Sequence, residues 1–196
     1  MISPEELKDI LKQRRGISFD TFFYRFMGIE YLKNPLSGLG SLEHGGRYNY
    51  FKDRFEVIYL APDPETATAE STRDAMLITP RAMITIKVTL QKVIDLKDTK
   101  VINALGINEQ ELCCPWRKIQ DIDEEKAYTQ ILGHMIYKSQ EFEAIHYPSV
   151  QKKGKYNLAI FPERLEKDSE LKVYDPDKKI GQVIKGPIAN FKLLGS

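Results

Sequence analysis

Ile84-Thr85-Ile86-Lys87-Val88-Thr89-Leu90 alternates apolar and polar side chains without a break. A period of two places Ile84, Ile86, Val88 and Leu90 on one face of a strand and the polar residues on the other, so one face is buried. Upstream, residues 57–61 (Val-Ile-Tyr-Leu-Ala) read as a buried strand. Asp63 is placed as the N-cap of a helix that opens with Pro64 and runs through Ala67, Ala69 and Glu70 to about Met76. The aromatic-rich residues 21–26 read as a further strand. Before them, Ser3, Pro4 and Glu6 supply the cap, first residue and capping box of a short helix over 3–14, with Leu7, Ile10 and Leu11 on one face.

Downstream, residues 99–119 read as short helices and turns around Trp116, and residues 124–139 as a helix burying Ile131, Leu132, Met135 and Ile136. Residues 144–147 and 156–161 read as short strands joined by the loop that carries Ser149. Residues 171–174 and 182–184 are expected to pair as a C-terminal hairpin across Asp175-Pro176-Asp177. Strands and helices intersperse without a βαβ rhythm, which predicts an α+β fold with mainly antiparallel sheets.

The 196 residues suit one domain, and 42% hydrophobic content is enough for a packed core. A net charge of +1 argues against binding nucleic acid directly through phosphates. The densest basic run, Lys152, Lys153 and Lys155, reads as a solvated loop. The only cysteines, Cys113 and Cys114, are adjacent, too close for an ordinary disulfide and without the neighbours of a zinc site. His44, His134 and His146 are not spaced as ligands on a helix, so no metal is expected. No stretch approaches the roughly 18 apolar residues of a membrane span, and no basic-then-apolar leader opens the chain. A cytoplasmic protein without membrane contact is expected.

Residues 34–49 (Asn-Pro-Leu-Ser-Gly-Leu-Gly-Ser-Leu-Glu-His-Gly-Gly-Arg-Tyr-Asn) hold four of the chain's 12 glycines and read as one long loop, a form commonly functional in a compact domain. Phosphate-loop, dinucleotide-fold and nucleophile-elbow signatures are absent. An ordered, dispersed set remains: Tyr24-Arg25, Gly45-Gly46-Arg47-Tyr48-Asn49, Tyr59-Leu60-Ala61, Ala69-Glu70, Tyr147-Pro148-Ser149 and Tyr156-Asn157-Leu158.

In this order the set resembles the RES domain family, named for an arginine, a glutamate and a serine, which match Arg25 or Arg47, Glu70 and Ser149. Tyr48 stands where the family usually has tryptophan, and Tyr50-Phe51-Lys52-Asp53 replaces a Pro/Gly-rich turn. The resemblance covers about residues 22–162. It implies a single domain over 1–196, with the helix 3–14 and the hairpin 170–185 as appendages. It also implies an ADP-ribosyltransferase-like fold, whose sheets form a cleft with flanking helices. The implied activity is that of a bacterial toxin that depletes NAD by hydrolysis or phosphorolysis, restrained by an Xre-type antitoxin or other immunity protein. NAD would be the substrate, and no cofactor is implied.

The chemistry is compatible with these residues. Cleaving the nicotinamide–ribose bond releases a neutral leaving group and passes through an oxocarbenium-like state, so a lone carboxylate can serve. Glu70 would hold a ribose hydroxyl and stabilise the developing positive charge. Its plain alternative is a solvated helix residue or a salt bridge with Arg73. Arg25 and Arg47 would bind the pyrophosphate in a fork that lysine cannot copy; otherwise one points to solvent from a strand and the other is an ordinary loop cation. Gly46 would let backbone N–H groups approach the ligand, and Tyr48 and Asn49 beside it would also bind NAD. Tyr24 and Tyr59 would stack on nicotinamide or wall the pocket, with a core position as the alternative. Ser149 would donate to a phosphate or a ribose hydroxyl, and Asn157 is expected to be structural. Two rival readings stay open at this point: transfer of ADP-ribose to a macromolecule, and an inert nucleotide-binding domain.

Overall fold

The computed structural model describes residues 4–72 and 80–187, so the Ser3 cap, the helix end near Met76 and Arg73 lie outside the described residues. In chain order these comprise helix α1 (Pro4–Lys12), strand β1 (Ile17–Gly28), α2 (Leu39–His44), β2 (Ile58–Leu60), α3 (Pro64–Thr72), β3 (Arg81–Asp95), α4 (Thr99–Ala104), α5 (Glu109–Leu112), α6 (Trp116–Asp121), α7 (Tyr128–Ser139), β4 (Ala144–Pro148), β5 (Tyr156–Ile160), β6 (Glu170–Val173) and β7 (Val183–Lys185). The fold is α+β, and every strand pairing is antiparallel except that of β3 with β4.

The alternating stretch is the middle of β3, the spine of the sheet. One edge of β3 pairs with β1 from Arg81↔Gly28 to Val93↔Ile17. Its other edge takes β6 at residues 86–89 and then β4 at residues 93–95. The predicted inner face is buried: Ile86, Val88 and Leu90 have no exposure and Ile84 has 6%. The sheet continues through β4 to β5 and β2. It then closes on itself, because Tyr24 N–H donates to Ala61 O and Ala61 N–H to Tyr24 O, each at 2.8 Å. The path β1–β3–β4–β5–β2 thus returns to β1. Phe23, Ile58, Leu60, Leu158 and Ile160 fill the inside with the β3 residues. Tyr48, Ile145, Tyr147, Ala159 and Phe161 face a second core layer under α1, α4, α5 and α7. The C-terminal hairpin forms as expected, with Leu171 opposite Ile184; its first strand is inside the sheet, paired with β3.

Two expectations are corrected. The stretch 34–49 is interrupted by α2, for which Gly38 is the N-cap and Gly45, at φ 74°, the C-cap; these glycines punctuate a helix. The helix expected from residue 124 begins at Tyr128. Glu124 sits at φ 56°, outside helical space. The Gln130 side chain instead accepts the Ala127 N–H at 3.0 Å, which fixes the start.

Gly133 sets how closely α7 approaches the segment 46–49. A Cβ there would lie 2.0 Å from the Tyr48 carbonyl oxygen, and backbone cannot step aside. Gly133→Ala is expected to lower stability by about 3 kcal/mol, read as a fall of roughly 6–12 °C in Tm. Gly40→Ala in α2, where an added Cβ meets nothing within 4 Å, should leave Tm unchanged or higher.

Candidate active site

A cleft of about 900 Å³ opens where the ring of strands closes. Tyr24 and Arg25 of β1, Tyr59 of β2 and Ala61 line it at the seam, together with Gly46, Arg47, Glu70 of α3, Tyr147 and Asn157. The sheet closure is what joins these pieces. Ala61 is held to Tyr24, and two residues later Asp63 caps α3 by accepting the Thr66 N–H at 2.8 Å. Glu70 follows two turns along that helix.

Glu70 is half-buried, and its Oε1 accepts two hydrogen bonds, from Ser149 Oγ at 2.6 Å and from Asn157 Nδ2 at 2.8 Å. Its Oε2 takes none among the described residues, and the side chain lines the cleft. Ser149 is 8% exposed and touches the site only through Glu70; its Oγ also accepts the N–H groups of Gln151 and Lys152. The expectation that Asn157 is purely structural is therefore incomplete, since its amide lies on the carboxylate and lines the cleft.

The two arginines reach the cleft by different routes. Arg25 Nη1 donates to the carbonyls of Pro35 and Ser37 at 2.8 and 2.9 Å. Burial lowers its guanidinium to about 10, opposed by the charge of Glu56. Arg47 is buried, and its Nη1 donates to Leu112 O and Cys114 O at 3.0 and 3.1 Å. Each arginine thus ties a distant loop to the cleft wall. Arg81, whose Nη1 bonds Ser71 O at 3.0 Å, and Trp116 with Arg117 stacked 4.7 Å from its ring also line the cleft. Nothing in their local sequence pattern marks them.

The Gly46–Asn49 turn holds the site without presenting every side chain to it. Tyr48 and Asn49 have no exposure and do not line the cleft. Tyr48 packs edge-on against Tyr147 with ring centres 4.7 Å apart. Asn49 Nδ2 bonds Ser41 O at 2.6 Å. The Tyr59 hydroxyl donates to Asn49 Oδ1 and accepts the Tyr48 N–H, both at 2.8 Å, while burial pushes the phenol up. Gly46 must be glycine, because a Cβ would sit 2.5 Å from the Tyr59 ring. Gln130, fully buried, donates to Gly46 O at 3.1 Å and to Gln120 Oε1 at 2.7 Å, which clamps the turn from behind.

Elsewhere, His134 pairs with Asp53 and His146 with Asp95, while His44 is exposed at the cleft rim beside Glu43. Both cysteines are free. Among the described residues no three His, Cys, Asp or Glu side chains gather as metal ligands, and no helix is long and apolar enough to cross a membrane. Lys152 and Lys155 are more than a solvated loop: they pair with Glu65 and Asp63 at the start of α3.

The fold and cleft define an α+β domain whose cleft is lined by the Glu70 carboxylate and by Arg25 and Arg47, both anchored to backbone carbonyls. The chain belongs to the RES domain family, which matches residues 22–180. It is also similar to a chain in the crystal structure of the M. tuberculosis MbcT–MbcA toxin–antitoxin complex, with a TM-score of 0.66, 22% identity and 92% of each chain covered. At that identity the likeness is one of fold. Comparison with curated protein sequences returns no match.

Tyr59→Phe removes one oxygen and leaves the Tyr48 N–H and Asn49 Oδ1 without their partner. The expected loss is about 2 kcal/mol, seen as a lower urea midpoint with an unchanged m value.

Proposed function

We propose that this chain cleaves the nicotinamide–ribose bond of NAD, with Glu70 at the catalytic centre. The observation that carries this reading is the state of the Glu70 carboxylate: one oxygen is held by Ser149 and Asn157, the other has no partner among the described residues, and the side chain lines the cleft. A carboxylate fixed in this way can hold a ribose hydroxyl and stabilise positive charge at the anomeric carbon. The leaving nicotinamide is neutral, so no acid is required. Arg25 and Arg47, each pinned through Nη1, would turn the rest of the guanidinium to the pyrophosphate, preorganised by their carbonyl anchors. Tyr24 and the ring of Tyr59 would wall the nicotinamide side. The cleft volume falls within the range of ligand pockets.

The fold shared with a chain of a toxin–antitoxin complex supports a restraining protein, which we assign as an Xre-type antitoxin or another immunity protein. Tyr31 and Leu39, 57% and 43% exposed at the cleft rim, are apolar surface for it to cover. A partner seated there need only exclude NAD.

Water or phosphate fits as acceptor better than an arginine side chain. Transferases that modify arginine typically carry a second glutamate two residues before the first; Thr68 stands there. Its hydroxyl donates to Pro64 O at 2.8 Å, and the residue is exposed. Two helical steps separate it from Glu70 by about 200°.

Incubation of the pure protein with NAD tests the reading. Free nicotinamide without labelled protein supports it; label on a macromolecule indicates transfer, and intact NAD with measurable binding indicates an inert sensor. Glu70→Gln keeps an oxygen for Ser149 and Asn157 but removes the charge, so turnover should drop on the order of a hundredfold or more with the fold intact; near-normal turnover removes Glu70 from this role. The product should accumulate as ADP-ribose or its 1″-phosphate according to the phosphate supplied. Arginine-linked ADP-ribose as the main product by mass spectrometry would overturn the acceptor assignment.

A further inference from the structure

We infer that Asn157 is a positioning residue for Glu70, held in the sheet for its amide N–H at the expense of its own carbonyl oxygen. The inference rests on the reading of Glu70 as the catalytic carboxylate. Asn157 lies on β5 directly opposite Tyr147 of β4, and only 3% of it is exposed. Its neighbours along the strand, Leu158 to Ile160, are fully buried apolar residues. An apolar residue would suit this position by packing alone. Instead Nδ2 bonds Glu70 Oε1 at 2.8 Å, while Oδ1 is buried with no partner among the described residues.

The amide orientation is not arbitrary. Turning it over would set Oδ1 against a carboxylate oxygen, acceptor against acceptor, and would leave the NH₂ group unpaired. The orientation observed satisfies Glu70 and leaves Oδ1 unsatisfied, which is unfavourable in a dry interior. A polar group retained on those terms serves the site rather than the fold.

Ser149 alone does not do the same work. Its hydroxyl can rotate, and it also accepts two N–H groups of its own loop. That loop is joined to α3 through the ion pairs of Lys152 with Glu65 and Lys155 with Asp63, at the protein surface. Asn157 projects from a strand paired on both edges, to β4 and to β2. It therefore ties Glu70 to the rigid sheet, while Ser149 ties it to a surface loop. With Oε1 taken by both, Oε2 is the oxygen presented to the ribose. Loss of the amide lets the carboxylate rotate and offer either oxygen in a less defined place. Ground-state binding through the arginines is untouched.

The test uses the full chain, with NAD turnover and thermal unfolding measured side by side. Asn157→Leu should lower kcat about 10- to 100-fold with KM within about twofold, and should unfold within about 3 °C of the unaltered protein or above it. Asn157→Asp keeps the shape but sets a second carboxylate against Oε1, and should lower kcat at least as far. Unchanged kcat in either variant overturns the inference, as does a rise in KM alone, which would make Asn157 a substrate contact. If the leucine variant fails to fold, the claim that the amide serves the site fails with it, and the aspartate variant then decides the positioning role. No NAD cleavage by the unaltered protein is a different outcome: it removes the proposed function and leaves the unfolding comparison to judge the residue.

Discussion

Two backbone hydrogen bonds between Tyr24 and Ala61 close the sheet, and the arrangement of the cleft depends on them. On its other edge Tyr24 is already paired to Thr85 in the spine strand. Ala61 is the last residue before the turn that Asp63 caps into α3. The closure therefore couples three positions through rigid backbone. Arg25 follows Tyr24, Tyr59 precedes Ala61 by two residues on the same strand, and Glu70 lies at a helical distance from the cap. None of these side chains has to find the others. Each is delivered by an element whose own hydrogen bonding is satisfied, so the ordering entropy of the site is met by the fold as a whole.

Arg25, Arg47 and Glu70 are held by backbone carbonyls and by neutral side chains. Arg25 and Arg47 together bond four carbonyl oxygens, drawn from the 35–37 turn and from the C-terminal end of α5 and just beyond it. Among the described residues Glu70 takes neutral donors only, from Ser149 and Asn157. Carboxylate and guanidinium groups that do not neutralise each other keep their fields directed into the open volume, where a polar ligand brings its own charge. A direct Glu–Arg pair here would have been more self-sufficient and less useful.

Much of this was legible before any coordinates, and the parts that were not share a cause. The spine strand, the antiparallel character and the terminal hairpin follow from periodicity, which reports which face of an element is buried. Motif order puts Glu70 and Ser149 in one set but assigns Ser149 to a phosphate or a ribose hydroxyl; its bond to the Glu70 carboxylate is visible only in the fold. Tyr48 and Asn49 were misplaced because flanking glycines report backbone freedom, not the direction in which the next side chain turns. Both point inward, because Gly46 admits the Tyr59 ring and the Tyr59 hydroxyl then collects the backbone of one and the side chain of the other. Asn157 was read as structural because a polar residue entering an apolar strand looks like a boundary; its partner is 87 residues away in sequence. Arg81, Trp116 and Arg117 carry no periodic signal at all, since only the tertiary closure brings them to the rim.

The long separations in the site have a consequence for the moment at which the chain becomes active. The arginine of β1 and the donors to Glu70 are more than 100 residues apart in sequence, and β5 is the link that joins β2 to β4. A nascent chain that has emerged only through α7 has the spine strand, both arginines and Glu70, but neither Ser149 nor Asn157 and no β5 to hold β2 in place. Translation proceeds at roughly 5–20 residues per second, so an unfinished site persists for seconds on each ribosome. A cell making this protein is thus given an interval in which the carboxylate exists without its holders. On the proposed reading the site is complete only once the chain through β5 has been made and folded.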